Sequence, residues 1–149
     1  MWTALSGLAN PPRMESADTK TAPPPPAPGT IAWADLTVAD ADGVRDFYAQ
    51  VTGWTPQALA MKGGYDDYVM NAPGSGQAVA GICHARGPNA DIPPQWVMYI
   101  IVSDLDASLA ECTARGGAVI NGPKSMGGTA RYAMIRDPAG AVAALYQTT

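Results

Sequence analysis

The stretch Ile31–Trp54, IAWADLTVADADGVRDFYAQVTGW, decides the fold because it changes from a strand pattern to a helix pattern within a few residues. Its first eight residues alternate in polarity, as a half-buried strand does. Asp40 or Asp42 can cap the following helix, whose apolar residues recur every three or four positions up to Gly53. Three shorter strand candidates follow between glycine-rich turns, at residues 54–61, 67–71 and 77–84. The stretch therefore opens a βαβββ module.

The second half of the chain repeats this order. Trp96–Val102 predicts a strand, and Asp104 or Asp106 can cap the helix that follows. Three more strands are predicted at residues 117–121, 131–136 and 141–147. A shift of 64 positions superposes the halves without a gap, pairing Asp40 with Asp104 and Tyr68 with Tyr132. One module buries only one face of its sheet, so we predict an α+β fold in which two tandem βαβββ modules form a curved mixed sheet around a cleft.

The chain before the first module is rich in proline. The four consecutive prolines Pro23–Pro26 fit neither a helix interior nor a sheet ladder, so residues 1–28 are predicted to be a disordered Pro-rich tether. Residues 29–147 are predicted to be a single domain. Its parts are module 1 at 29–86, a linker at 87–94 and module 2 at 95–147. Neither a signal peptide nor a membrane span is expected from the sequence.

Composition limits the partners. The chain has a formal net charge of −4 and no basic cluster, so neither nucleic acid nor a membrane surface is an expected partner. Cys83 and Cys112 are far apart, fit no metal or redox spacing, and favour a reducing compartment, so a cytoplasmic location is expected. A small organic molecule is the expected partner. The modules could close within one chain or swap across a homodimer, and the pattern leaves both open.

Two segments carry a family resemblance. The residues DLTVADADGVRDFYAQVTGW (35–54) and RDPAGAVAALYQ (136–147) resemble the opening module and the closing turn and strand of the vicinal oxygen chelate (glyoxalase/bleomycin-resistance/dioxygenase) superfamily. Within it, the chain is similar to two-module bacterial glyoxalase-like proteins. The resemblance implies the glyoxalase/bleomycin-resistance fold. The family's enzymes usually bind a divalent metal through a His near the start of each module and a Glu or similar residue at the end of each module. The resemblance therefore also implies such a metal site.

The four positions that the resemblance assigns to metal ligands hold residues without a suitable donor atom. Trp33 and Val97 replace the two histidines, while Ala80 and Ala144 replace the two carboxylates. Indole, isopropyl and methyl groups do not ligate a divalent cation. We therefore expect that the usual metal site is lost, and we predict no cofactor.

An aromatic set is predicted to bind the ligand in the cleft. Strand parity places Asp35 on the same side as Trp33. The predicted ligand-binding residues are Trp33, Asp35, Tyr68, Trp96, Tyr99 and Tyr146. Aromatic rings with polar tips suit a flat or apolar ligand that carries a few hydrogen-bonding groups. The alternative interpretation is that these strand aromatics are core residues.

Asp35 and His84 are the candidate catalytic residues. Asp35 could bind a ligand donor or act as a base with a raised pKa, or its neighbours could simply satisfy it. His84 is the only histidine and shares strand parity with Ala80, so it is expected at the rim of the cleft or, without a role, at an exposed strand end. Asp66 and Asp67 are expected to be solvated turn residues. A new metal site that combines Asp35, His84 and one of these acids is a further alternative.

Three functions remain open from the sequence. The first is a metal-independent protein that binds an apolar or aromatic molecule in the cleft between the modules. The second is a metal-dependent or metal-free lyase, isomerase or dioxygenase of the same superfamily, so whether the chain is an enzyme stays uncertain. The third is a non-catalytic interaction module.

Overall fold

A computed structural model describes residues 24–148 of the chain. Within them lie β1 (Ile31–Val38), α1 (Ala41–Thr52), β2 (Thr55–Met61), β3 (Tyr65–Asn71), β4 (Ala78–His84), β5 (Trp96–Ile101), α2 (Leu105–Ala114), β6 (Ala118–Ser125), β7 (Arg131–Arg136) and β8 (Val142–Gln147). A short 3₁₀ helix, Gly87–Asn89, lies between β4 and β5. The predicted order of two βαβββ modules is confirmed.

All eight of these strands form one sheet in the order β2-β3-β4-β1-β5-β8-β7-β6. In each module the first strand pairs parallel with the last, β1 with β4 and β5 with β8. The modules join edge to edge through β1 and β5, where Trp33 lies opposite Tyr99 and Asp35 lies opposite Val97. This antiparallel junction brings side chains of both modules together at the centre of the sheet.

Both helices begin at aspartate caps that are 64 residues apart. The Asp40 carboxylate accepts a hydrogen bond from the backbone N–H of Gly43 at 2.9 Å, and the Asp104 carboxylate accepts one from that of Ala107 at 3.0 Å. Helix α1 ends at Gly53, whose φ of 74° lies in the left-handed region that favours glycine. The repeat that was read from the sequence therefore holds at the helix starts.

The two helices cover one face of the sheet. Helix α1 packs on a cluster that includes Met70 and Ile82, and α2 packs on one that includes Ala133 and Leu145. We call the opposite face the inner face. Its buried residues are Trp33, Val69, Cys83, Ile92, Val97, Tyr99, Tyr132, Met134 and Ala144.

The 64-residue repeat does not hold in the outer strands. Asp35 pairs with Gly81 and Gly81 with Val69, whereas the equivalent row in module 2 runs from Tyr99 through Ala144 to Met134. The offset is therefore 63 residues between β4 and β8, and 65 between β3 and β7. Register shifts in the pairings of β3 with β4 and of β6 with β7 place extra residues in β4 and in β6, which the gapless alignment ignored.

This offset corrects the predicted pairing of Tyr68 with Tyr132. Tyr68 packs beneath α1, whereas Tyr132 lies on the inner face. A slip of one residue moves every side chain of a strand to the other face of the sheet, so a repeat read without gaps inverts the strands that it misaligns.

Residues 1–23 of the predicted tether lie outside the described residues, and residues 24–28 form neither helix nor strand and are exposed. Cys83 and Cys112 are both free thiols. Between residues 24 and 148, no helix is long and apolar enough to cross a membrane.

Candidate functional site on the inner face

A buried carboxylate lies at the centre of the inner face. Asp35 is only 1% exposed, and its Oδ1 accepts a hydrogen bond of 2.6 Å from the indole Nε1–H of Trp33. Its second oxygen, Oδ2, accepts no hydrogen bond. Because buried carboxylate oxygens are normally satisfied, this unpartnered oxygen marks Asp35 as a candidate ligand-binding group.

Burial makes ionisation of the Asp35 carboxyl unfavourable. Burial raises the pKa of Asp35 from 3.8 to about 6, although the hydrogen bond from Trp33 acts in the opposite direction. Most of the group is therefore ionised at neutral pH. Among residues 24–148, no Lys, Arg or His side chain lies within ion-pair distance of it. A buried carboxylate that forms no ion pair is unfavourable for stability. Groups of this kind are common at functional sites, where a ligand can stabilise them.

Module 2 contributes tyrosines to the same face. Tyr99 lies opposite Trp33, and its ring centroid is 6.3 Å from that of Tyr132. The Tyr99 hydroxyl interacts electrostatically with Asp35 but makes no hydrogen bond of good geometry. Burial raises the pKa of Tyr99 and of Tyr132, so both phenols keep their protons at neutral pH and can donate hydrogen bonds.

Two further groups, neither of them a predicted ligand-binding residue, lie beside Asp35. Cys83 is buried next to Thr37, and burial raises the pKa of its thiol, which therefore stays protonated. Asp67 is buried rather than solvated, and its Oδ1 accepts a hydrogen bond of 2.8 Å from the backbone N–H of His84. The expectation for Asp67 failed because β3 begins at Tyr65 and takes the residue into the sheet.

A cavity of about 360 Å³ lies at the module 2 end of the inner face. Ile92 and Met134 belong both to its lining and to the inner-face cluster. The complete lining is Asp91, Ile92, Pro93, Ile120, Asn121, Met134 and Arg136. The segment between the modules therefore covers one end of the face, while Asp35 lies outside this cavity.

The structure divides the predicted ligand-binding residues between the two faces. Trp33, Tyr99 and Tyr146 join Asp35 on the inner face, as strand parity predicted. The prediction that Tyr68 and Trp96 line the same cleft is wrong. Both lie beneath α1, where the Tyr68 hydroxyl donates to Asp42 and the Trp96 Nε1–H donates to the Tyr48 hydroxyl at 2.9 Å.

His84 is neither at the rim of the cleft nor exposed. It is 5% exposed, with Nδ1 3.5 Å from Asp67 Oδ1 and Nε2 3.9 Å from Asp42 Oδ1. Its ring packs edge-on against Tyr65 at 5.3 Å. No hydrogen bond or ion pair of the described residues joins His84 to Asp35, so the two catalytic candidates do not form a pair.

The residues at the expected metal positions do not fit a divalent cation. Trp33, Val97 and Ala144 lie on the inner face, as expected for those positions. Ala80 packs under α1 instead, and its place on the inner face is taken by Gly81, which has no side chain. In the part of the chain that the structure describes, no group of three or more His, Cys, Asp or Glu side chains could hold a metal ion.

Comparison with known proteins agrees with this architecture. A family model described as the Glyoxalase/Bleomycin resistance protein/Dioxygenase superfamily matches residues 30–145. The chain belongs to this superfamily. A related superfamily protein, the putative glyoxylase CFP32 of Mycobacterium bovis, is 35% identical over 120 residues, which cover 80% of this chain and 46% of the relative.

A second relative is the anthracycline biosynthesis protein DnrV of Streptomyces peucetius, which is 32% identical over 81% of this chain and 48% of the relative. The chain thus spans about half the length of these relatives. Methylmalonyl-CoA epimerase from Mycobacterium tuberculosis shares the fold, with a TM-score of 0.51 and 18% identity over 78% of this chain and 86% of that one. Another epimerase structure, in complex with methylmalonyl-CoA and NH4+, gives a TM-score of 0.52 and 17% identity over 83% and 96% of the chains.

Proposed function

We propose that this superfamily member binds a small, largely apolar or aromatic organic molecule on the inner face, with Asp35 as the polar anchor. The observation that carries the proposal is the free Oδ2 of Asp35, buried among the rings of Trp33 and Tyr99. Small-molecule sites are typically apolar and aromatic, with a few well-placed polar groups that orient the ligand.

The proposed binding does not use a metal held by the protein. The residues at the four expected ligand positions support this part of the proposal, since neither Gly81 nor the side chains of Trp33, Val97 and Ala144 have an atom that coordinates a divalent metal. The metal-dependent lyase, isomerase or dioxygenase reactions of the family are therefore the less favoured alternative. The names of the relatives link similar proteins to anthracycline biosynthesis and to coenzyme A esters, both of which involve small organic molecules.

Tryptophan fluorescence tests the binding proposal. We expect aromatic probes such as 2-naphthylmethanol and 2-naphthylmethylammonium to change the emission of Trp33, which lies on the inner face. Trp33→Phe should remove most of this change and weaken binding by about 1–3 kcal/mol through lost buried area. Trp96→Phe is the matched control, because Trp96 lies on the opposite face. A response that survives in Trp33→Phe and disappears in Trp96→Phe would place the site under α1.

Elemental analysis tests the absence of a metal. Protein that is purified, incubated with Ni²⁺, Mn²⁺, Zn²⁺ and Fe²⁺ and then dialysed should retain far less than one ion per chain. His84→Ala, which removes the buried imidazole near Asp67, should not change the result. A stoichiometric ion that is retained by the wild type and lost in His84→Ala would contradict this part of the proposal.

A further inference from the structure

Resting on this proposed function, we infer the charge of the ligand: the inner face binds an organic cation, a flat or apolar molecule whose protonated amine donates a hydrogen bond to Asp35 Oδ2. The inference follows from the buried oxygen that has no donor of its own. A protonated amine supplies the hydrogen-bond donor that this oxygen lacks, and its positive charge strengthens the hydrogen bond to a carboxylate.

Among the described residues, no Lys, Arg or His side chain forms an ion pair with Asp35. Within residues 24–148, every ion pair formed by an Arg or His side chain lies elsewhere. An anionic ligand would be repelled by the ionised Asp35 carboxylate, whereas a cationic ligand would be stabilised by it.

The aromatic rings beside Asp35 also suit a cation. Ammonium and guanidinium groups bind over the faces of tryptophan and tyrosine rings. The protein makes such contacts itself elsewhere: the Arg45 guanidinium lies 4.5 Å from the centre of the Tyr68 ring, and that of Arg86 lies 4.8 Å from the centre of the Tyr65 ring. No arginine of the described residues lies over Trp33 or Tyr99, so no guanidinium of these residues occupies the faces of those two rings.

A matched set of three naphthalene probes tests the inference by isothermal titration calorimetry at about pH 7.5, where most of Asp35 is ionised. The probes are 2-naphthylmethylammonium, the neutral 2-naphthylmethanol and the anionic 2-naphthoate. We expect the ammonium to bind at least about tenfold more tightly than the alcohol, and 2-naphthoate to bind most weakly. Asp35→Asn should abolish the preference. Glu111→Gln, which removes an exposed carboxylate on α2, should keep it.

A pH titration of the wild type supplies a second readout that needs no variant. As Asp35 is protonated between about pH 7.5 and pH 5, affinity for the ammonium should fall by about tenfold while affinity for the alcohol stays constant. Among the described residues, the other titratable groups that interact electrostatically with Asp35 are Cys83 on β4, Tyr99 on β5, Tyr132 on β7 and Asp67 on β3. The thiol and both phenols stay protonated across this range, because burial raises their pKa values.

The outcomes separate the two proposals. Equal affinity for the ammonium and the alcohol, or a preference that Asp35→Asn retains, would overturn the cation inference and leave the proposed binding function standing. If none of the three probes binds to the wild type, both proposals fail. A preference that is lost both in Asp35→Asn and at low pH supports both.

Discussion

The two modules give the inner face two chemically different halves. At three pairs of equivalent backbone positions, module 1 supplies an acid or a thiol and module 2 supplies a phenol. The equivalent pairs are Asp35 and Tyr99, Asp67 and Tyr132, and Cys83 and Tyr146. The duplicated backbone therefore carries an asymmetric site, in which one half can bear negative charge and the other presents aromatic rings.

This difference predicts different roles for the halves. The phenols of Tyr99 and Tyr132 fill volume beside apolar residues, so the module 2 half should stabilise the fold. The carboxylate of Asp35 is buried and forms no ion pair with another described residue, so the module 1 half should carry a cost in stability that binding can offset.

The largest expected loss of stability follows from removing a tyrosine ring of the module 2 half. Tyr99→Ala should lower the free energy of unfolding by about 3–5 kcal/mol, because it removes a fully buried ring from the centre of the sheet. Phe47→Ala is the matched control on α1, where the ring is 57% exposed, and should cost less than about 1 kcal/mol. Urea unfolding measures both values. Similar losses in the two variants would mean that Tyr99 is not a core residue.

The second effect concerns Asp35 and depends on pH. Its folded pKa of about 6 lies above the value of 3.8 of an exposed aspartate, so protonation favours the folded state. The stabilisation that the protonated carboxyl gives the folded state is fully present below about pH 4. It is lost as pH rises to about 6, so the free energy of unfolding should fall by up to about 3 kcal/mol. Asp35→Asn should therefore be more stable than the wild type at pH 7 by about 1–3 kcal/mol, and this gain should vanish near pH 4.

Urea unfolding of both proteins at several pH values provides the measurement, and Glu111→Gln serves as the surface control. The difference between wild type and Asp35→Asn is informative because it cancels the titration of the other groups. If Asp35→Asn were less stable than the wild type at pH 7 by a constant amount at every pH, Asp35 would be a structural residue with a satisfied charge.

The smallest expected change in stability comes from the helix caps, at which the two modules are alike. Asp40→Ala and Asp104→Ala each remove one helix cap, and each should lower the free energy of unfolding by about 1 kcal/mol. Asp46→Ala, which removes an exposed carboxylate inside α1, is the control and should have little effect. Chemical denaturation measures all three. Clearly unequal losses from the two caps would show that the repeat fails even at the helix starts.

Local sequence patterns predicted most of the fold. Alternation in Ile31–Val38, the aspartate caps and the glycine stop at Gly53 depend on a few neighbouring residues, and the structure confirms each of them. The superfamily was also recognisable from two short segments at either end of the domain. The cytoplasmic location, the oligomeric state and the ligand stay predictions.

The site was predicted only where the register was certain. The sequence placed three side chains correctly on the inner face: Trp33, Asp35 and Tyr99. They lie on β1 and β5, and each of these strands directly precedes a helix whose start is marked by an aspartate cap. Tyr68 and His84 were misplaced because their strands lie beyond bulges and loops of unequal length, which no gapless repeat can detect. Non-local strand pairing decides those registers, and a single sequence does not encode it in a local pattern.

The most direct measurement is a carbon-detected NMR titration of the Asp35 carboxyl, without and with saturating 2-naphthylmethylammonium. We predict that the Asp35 carboxyl of the free protein titrates with a pKa of about 6. This pKa should fall clearly when the ammonium binds, because the bound cation stabilises the ionised carboxylate. A midpoint near the 3.8 of an exposed aspartate, or one that the bound ammonium leaves unchanged, would contradict this prediction.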